Sequence, residues 1–364
     1  MIDLFQPFRI GNLELRNRFI RSATWDATAD KEGMVTDESV ALYNKLGRGD
    51  IGLIITGHAF ISPTGQAGLG QYGIHNDKTV PGLRRLVTAV HKYRGKIAVQ
   101  ISHSGINAMR TIPQALAVSS VASLKREQKE MTEEDIELLL NGFAQAAVRA
   151  REAGFDALQL HGAHGYLLSQ FLSPLSNLRT DHWGGSIRNR RRFHLEVIRH
   201  IRQAVGTDFP LLIKFGVRDE SDDGLTVREG VATALHMCKA GIDAIEISAG
   251  TPAVGKHAVI TRKSGEMENA LFRDRAATVK RVVKVPVILV GGIRTLALAT
   301  DIINSGDADM ISMSRPFIRE PGLLKRWQQG SDMTSDCISC NRCFPPRTPA
   351  RGEVMCRKEK YSGA

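Results

Sequence analysis

No stretch of this 364-residue chain approaches the ~18 to 20 consecutive apolar residues that a membrane-spanning helix requires. Nor does the amino terminus, MIDLFQPFRIGNLELRNRF, carry the pattern of a secretory leader, because charged residues interrupt every apolar stretch. Together these absences point to a cytoplasmic protein without a membrane partner. Acidic residues are in deficit: 38 Asp and Glu face 49 Lys and Arg, a formal net charge of +11. We do not take this surplus as a sign of nucleic-acid binding. Its densest cluster, RNRRRF (188–193), interrupts a helical pattern rather than forming a tail, and no aromatic residues interleave with it as a base-stacking surface needs. Spread-out positive charge equally suits anionic cofactors and substrates. Cysteine is scarce until the end of the chain, where Cys337, Cys340, Cys343 and Cys356 crowd into CISCNRCFPPRTPARGEVMC (337–356). In a compartment that keeps thiols reduced, such bunching favours a metal or cluster site over a disulfide framework. The fifth, Cys238, lies in a helical pattern and reads as core.

What the chain does have is alternation. Eight short apolar runs, RFIRSA (18–23), IGLIITGHA (51–59), KIAVQIS (96–102), DALQLHG (156–162), PLLIKFG (210–216), DAIEISAG (243–250), VPVILVGG (285–292) and DMISMSR (309–315), are rich in Ile, Leu and Val, as strands buried on both faces should be. Helical patterns separate them. Thr132 with Asp135 and Thr226 with Glu229 read as capping boxes, and apolar residues from Ile136 to Ala150 recur on one helical face. Gly154 is placed to end that helix in a left-handed conformation, and KAGIDA and NSGDADM repeat the punctuation. Eight β-α units predict a closed (β/α)8 TIM barrel. The open doubly wound alternative lacks its G-x-G-x-x-G turn after the first strand. FRIGNLEL reads as a hairpin around Gly-Asn that plugs the N-terminal mouth. Residues 1–330 are thus expected to form the barrel and 331–364 a cysteine-rich extension.

In such a barrel the active site gathers at the C-terminal ends of the strands. The richest stretch there is LQLHGAHGYLLSQFLSPLSNLRTDHWGGSIRNRRRF (158–193), which places His161, His164 and Tyr166 just past the fourth strand. Two converging imidazoles lack a third ligand at zinc spacing. They suit a pair of hydrogen bonds to an oxygen on which negative charge develops, with the tyrosine as proton donor. RDESDDGLT (218–226), despite its carboxylates, reads as a turn that ends in the Thr226 cap.

These residues resemble the old yellow enzyme family of flavin-dependent ene-reductases. LFQPFRIGNLELRNRF is similar to that family's opening, and HGAHGYLLSQFLSPLSNLRTDHWGGSIRNRRRF to its most specific signature. The resemblance spans the barrel and implies non-covalent FMN, reduced by NADH, NADPH or another donor, with hydride passing to the β-carbon of an activated alkene. His161 and His164 then hold the activating carbonyl and Tyr166 protonates the α-carbon. Gln100 pairs with the flavin pyrimidine edge, and Lys214, where the family usually has Arg, supplies a cation beside flavin N1 and O2 as a point charge rather than a fork. Gly291 and Gly292 in VGGIR, with Ser314 and Arg315 in MSRP, match the family's phosphate cradle. Ala23 and Thr24 stand at the flavin end of the first strand. Trp25 occupies a position where the family commonly has a small polar residue; it either narrows the substrate pocket or packs against a loop, leaving the flavin contact to Thr24.

The cysteine spacing C-x2-C-x2-C-x12-C resembles that of the family's iron–sulfur branch, which includes 2,4-dienoyl-CoA reductase, trimethylamine dehydrogenase and histamine dehydrogenase. That likeness implies a [4Fe–4S] cluster on Cys337, Cys340, Cys343 and Cys356; zinc or no metal are the alternatives. Those relatives continue into further nucleotide-binding domains, whereas this chain stops at Ala364. A separate electron-donor protein is then expected, unless a nicotinamide reduces the flavin directly. Amine or C–H dehydrogenation with electrons leaving through the cluster is the second reading, and an electron-transfer flavoprotein subunit the third. A homo-oligomer is the expected assembly.

Overall fold

All eight apolar runs fold as strands: Phe19–Arg21, Leu53–Ile55, Ile97–Ser102, Ala157–Gly162, Leu211–Gly216, Ala244–Ser248, Val287–Val290 and Met310–Met313. The computed structural model describes residues 2–120, 126–249, 270–330, 334–343 and 354–357. Each of the eight strands pairs in parallel with the next, and the last returns to the first with Ile311 opposite Phe19, closing the barrel. One run departs from expectation. IGLIITGHA is not a single strand but breaks after Ile55 and resumes at Ala59–Phe60. The cause lies in Gly57, whose N–H donates to the Tyr43 hydroxyl (3.1 Å) rather than to a neighbouring strand. A Cβ at Gly57 would stand 2.9 Å from the Thr24 carbonyl oxygen, so only glycine lets the two loops approach this closely.

The hairpin forms as Phe8–Ile10 and Leu13–Leu15 around Gly11 at φ +56°. Its buried Ile10, Leu13 and Leu15 pack with Ile20, Leu53, Ala98, Ala157 and Leu212 from the starts of the strands. That apolar plug closes the N-terminal mouth and leaves the opposite mouth for chemistry. Outside, the helix Glu133–Ala153 carries its capping box from Thr132 and Asp135, and Gly154 ends it at φ +90°. Thr226 and Glu229 cap Val227–Ala240 in the same way. A further capping box, Thr36 with Ser39, opens the helix Asp37–Gly47. It escaped sequence reading because serine replaces the usual Glu or Gln at the third helical position. The RNRRRF cluster divides at Arg191 between a short helix, Ile187–Arg190, and the helix Arg192–Val205. Arg190 is buried and serves the fold, donating to the Leu172 and Gly185 carbonyls and pairing with Glu229 at 2.7 Å. Among the described residues, no helix is long and apolar enough to cross a membrane.

One buried residue works against stability. His194, on the inner face of the helix Arg192–Val205, is fully buried with its ring 6.3 Å from that of Phe215, and neither ring nitrogen has a hydrogen-bond partner. Burial pushes its pKa down to about 3. The unfolded chain therefore takes up a proton here below pH ~6.5 that the folded chain refuses, so stability falls as pH drops from about 6.5 toward 3. His194→Leu is expected to raise stability by about 1–2 kcal/mol at pH 7, by removing unsatisfied polar atoms. It should also flatten the acid limb of the stability curve. Urea unfolding at pH 7 and pH 5 checks both, and an unchanged acid slope would sink the argument.

Candidate active site

Below the C-terminal mouth, the inward side chains form a polar layer. Lys214 and Glu246 stand opposite each other in the register of the fifth and sixth strands, and Lys214 Nζ lies 2.9 Å from Glu246 Oε1. Both side chains are almost wholly buried, at 5% and 0% exposure. The remaining capacity of the carboxylate is filled from around the barrel. Ser22 and Ser312 donate to Oε1 at 2.7 and 2.8 Å, and Gln159 donates to Oε2 at 2.8 Å. Lys214 also donates to Ser22 Oγ (2.7 Å), and Gln100 donates to Gln159 Oε1 (2.7 Å). Burial by itself raises the Glu246 pKa. The Lys214 ammonium and the hydrogen bonds from Lys214, Ser22 and Gln159 outweigh it and hold the carboxyl below its usual range.

Above this layer sit the imidazoles. His161 is the penultimate residue of the fourth strand; Gly162 and Ala163 follow, and then His164 and Gly165 take left-handed conformations (φ +57° and +64°). This sharp turn returns the chain so that Tyr166 starts the helix Leu167–Leu172 beside His161. Gln170 locks the turn: its amide nitrogen donates to the Gly165 and Ser104 carbonyls at 2.7 and 2.9 Å. The His161 ring lies 5.1 Å from that of His164 and 4.8 Å from that of Tyr166. His164 Nε2 is 2.8 Å from Ser248 Oγ, while His161 Nδ1 is buried without a partner. Burial is the main cause that pushes both histidines down, His164 to about 3. Repulsion from Lys214 adds to it in both. Both are therefore neutral imidazoles rather than cations at pH 7.

Sequence reasoning missed a third imidazole. His58 lies just where the second apolar run breaks, with its ring 5.9 Å from His161, 5.4 Å from Tyr166 and 6.3 Å from Trp25. Trp25 thus sits at the pocket edge, half-buried. The Thr24 hydroxyl donates to the Ser22 carbonyl at 2.9 Å and lies 2.7 Å from Ser314 Oγ, tying the first strand's exit to the last strand's. Glu246 was missed as well. The available signal was a lone carboxylate inside the apolar run DAIEISAG, which demands a buried cation.

The residues expected to cradle a phosphate stand at the ends of the seventh and eighth strands. Gly291 and Gly292 are left-handed (φ +107° and +78°), and a Cβ on Gly291 would press the Phe272 ring at 3.2 Å. Ser314 precedes the helix Arg315–Arg319. The layer below fits a flavin ring: Gln100 spends its amide nitrogen on Gln159 and keeps its oxygen as an acceptor, and Lys214 supplies a fixed cation. These residues, with the orphaned His161 nitrogen, match an FMN site.

The cysteine segment docks against that cradle. Arg294 donates to the Cys337 carbonyl (3.0 Å) and Arg315 to Asn341 Oδ1 (2.5 Å). Cys337 and Cys343 are buried, and Cys340 and Cys356 are partly so. Burial, together with the neighbouring Cys337, Cys356 and Cys340, pushes the Cys343 thiol up to about 11. The Cys343 thiol thus lies within electrostatic reach of the other three, and Cys337 within reach of Cys356. Among the described residues, however, no group of three or more His, Cys, Asp or Glu side chains is close enough to hold a metal ion.

The profile of the NADH:flavin oxidoreductase / NADH oxidase family matches residues 3–333. The chain is 36% identical to the NADH oxidase of Thermoanaerobacter brockii over 99% of its own length and 56% of that protein's. It is 34% identical to the NADPH dehydrogenase of Clostridium acetobutylicum, over 88% of this chain and 93% of that one. Its fold superposes on a 2-naphthoyl-CoA reductase in complex with 2-naphthoyl-CoA with a TM-score of 0.86, at 27% identity, over 93% of this chain and 54% of that one. The chain thus spans about half the length of some of the relatives it matches and nearly all of others.

The polar layer makes a direct prediction. Removing one partner of a buried ion pair leaves an uncompensated charge, which costs about 3–5 kcal/mol. Glu246→Gln and Lys214→Met should each destabilise by that order, and the double substitution by much less than their sum. Chemical denaturation of the three variants measures this; additive losses would contradict it.

Proposed function

The chain belongs to the NADH:flavin oxidoreductase / NADH oxidase family, and from that premise we propose that it is an FMN-dependent ene-reductase acting on α,β-unsaturated carbonyl compounds. The observation that carries this reading is the meeting of two neutral imidazoles and a phenol at one mouth of the barrel, with His161 4.8 Å from Tyr166 and 5.1 Å from His164 between ring centres. Bound FMN, reduced by NADH or NADPH, supplies the hydride that the alkene β-carbon receives.

The chain's own residues do the rest. His161 and His164 donate hydrogen bonds to the substrate carbonyl oxygen, and because they are neutral the donation strengthens as that oxygen gains charge. Tyr166 gives its phenolic proton to the α-carbon. Lys214, held by Glu246, would supply a positive charge to bound flavin. The backbone N–H groups of Gly291 and Gly292, with Arg315, would hold its phosphate. A carbonyl oxygen that becomes anionic is what two neutral donors serve best. An alkylamine, which loses electrons instead, draws no comparable benefit from them. This favours alkene reduction over amine dehydrogenation.

The four cysteines support a [4Fe–4S] site as part of the same reading. Each cysteine of a cubane bonds a different iron, so the thiols ring the cluster instead of converging on one point. The spacing of Cys337, Cys340, Cys343 and Cys356 carries this part of the reading. The cluster would exchange electrons one at a time with a partner. Electron transfer alone would not call for the His161, His164 and Tyr166 arrangement.

Two measurements test the proposal. Anaerobic protein reduced by NADH or NADPH is expected to be reoxidised by cyclohexenone, cinnamaldehyde or an enoyl thioester. Tyr166→Phe should lower kcat by about 10²–10³ with KM little changed. A flavin that no activated alkene reoxidises would refute the reading. Separately, anaerobic purification should yield about four iron and four sulfide per chain, lost in Cys340→Ser; zinc without sulfide would replace the cluster assignment.

A further inference from the structure

We propose that His58 is a third hydrogen-bond donor of the substrate pocket, held in one tautomer by Gln71, and that it selects activated alkenes bearing a second carbonyl oxygen. The substrate class rests on the reductase reading; the donor role rests on the geometry that follows. Gln71 is fully buried. Its Oε1 accepts from the Ala67 N–H at 2.6 Å, which fixes which way the carboxamide faces. Its Nε2 is thereby turned to His58 Nδ1, 2.6 Å away, and to Ser102 Oγ at 3.5 Å. An amide nitrogen only donates, so His58 Nδ1 must carry the lone pair and the ring proton must sit on Nε2.

The ring so fixed is 9% exposed and lies among Trp25, His161 and Tyr166. Among the described residues, no hydrogen bond to His58 Nε2 occupies that N–H. Burial lowers the pKa to about 4, so the ring is a neutral donor across the physiological range. A ring retained merely to fill space needs no anchored amide behind it. Here Gln71 spends a buried carboxamide on orienting an imidazole, which is an arrangement for presenting one N–H in a defined direction.

His161 and His164 together serve the first carbonyl oxygen. A donor on the adjacent wall, 5.9 Å from His161 between ring centres, is placed for an acceptor elsewhere on the same small molecule. Enediones, unsaturated imides and unsaturated diesters carry such an acceptor; simple enones do not. A site built to donate to a substrate oxygen discriminates against the analogue that lacks it, because the donor is then left buried and unpaired. His58 binds and selects; Gln71 is a positioning residue.

The test separates binding from turnover. The FMN-loaded enzyme is titrated calorimetrically with cyclohexanone and with cyclohexane-1,4-dione, neither of which is reduced. Wild type is expected to bind the dione about tenfold more tightly. In His58→Phe, which keeps a flat ring, that preference should fall to about unity, and in Gln71→Leu it should fall partway. Flavin content and circular dichroism confirm that each variant is folded. An equal loss for both ketones would make His58 structural, and an unchanged preference would remove it from the pocket; either result overturns the proposal, as would a wild type that binds neither ketone. If both ketones bind as expected but neither cyclohexenone nor cyclohex-2-ene-1,4-dione is turned over, the reductase reading fails while the variants still decide the role of His58.

Discussion

The buried Lys214–Glu246 pair is the constraint around which the rest of this barrel is arranged. Two opposite charges at 2.9 Å, with almost no exposure, are tolerable only if every remaining lone pair and proton is satisfied. That requirement recruits Ser22, Ser312 and Gln159, and through Gln159 also Gln100. One carboxylate therefore orders side chains from the first, third, fourth, fifth, sixth and eighth strands. A hydrophobic filling of the same volume would hold the fold as well or better. What it would not do is set a lysine within electrostatic reach of His161 and His164.

The barrel interior is graded along its axis as a result. The hairpin residues Ile10, Leu13 and Leu15 fill the bottom with apolar side chains. The charged layer follows, and above it the imidazoles. This order explains why the pocket histidines are neutral. They are buried over a lysine whose positive charge opposes a second cation, and Glu246 only partly offsets that for His164. Neutrality leaves them as hydrogen-bonding groups rather than charge carriers.

Much of this was legible in the sequence, and the exceptions share a cause. Local signals held: the eight runs, the Thr132 and Thr226 caps, Gly154 and the Gly-Asn hairpin depend only on neighbours within a few residues. His161, His164 and Tyr166 were visible because a single turn brings them together. Glu246 and His58 were not, because their partners lie 32 and 13 residues away, at Lys214 and Gln71. Register alone places Lys214 opposite Glu246, and no periodicity reports it. His58 was hidden differently. It sits inside what reads as one continuous strand, and the break that frees it is set by Gly57 reaching the Tyr43 hydroxyl. A charge or imidazole within an apolar run is thus best taken as a sign of a partner across the barrel.

The same logic extends to the cysteine segment. Arg294 and Arg315 stand in the two turns proposed to hold a phosphate, yet both spend hydrogen bonds on the segment that carries the thiols, at the Cys337 carbonyl and at Asn341. Ser335 returns a bond from its N–H to the Arg294 carbonyl at 2.8 Å. On the opposite side, the Val354 N–H reaches the Asp26 carbonyl at 3.3 Å, and Asp26 itself pairs with Arg21 at 2.6 Å in the first strand. The cysteines are therefore fastened to both sides of the seam where the last barrel strand meets the first. A segment tied at these points cannot shift without disturbing the arginines that face the cradle. The turns that end the seventh and eighth strands and the described cysteine segment are, on this geometry, parts of one hydrogen-bonded structure.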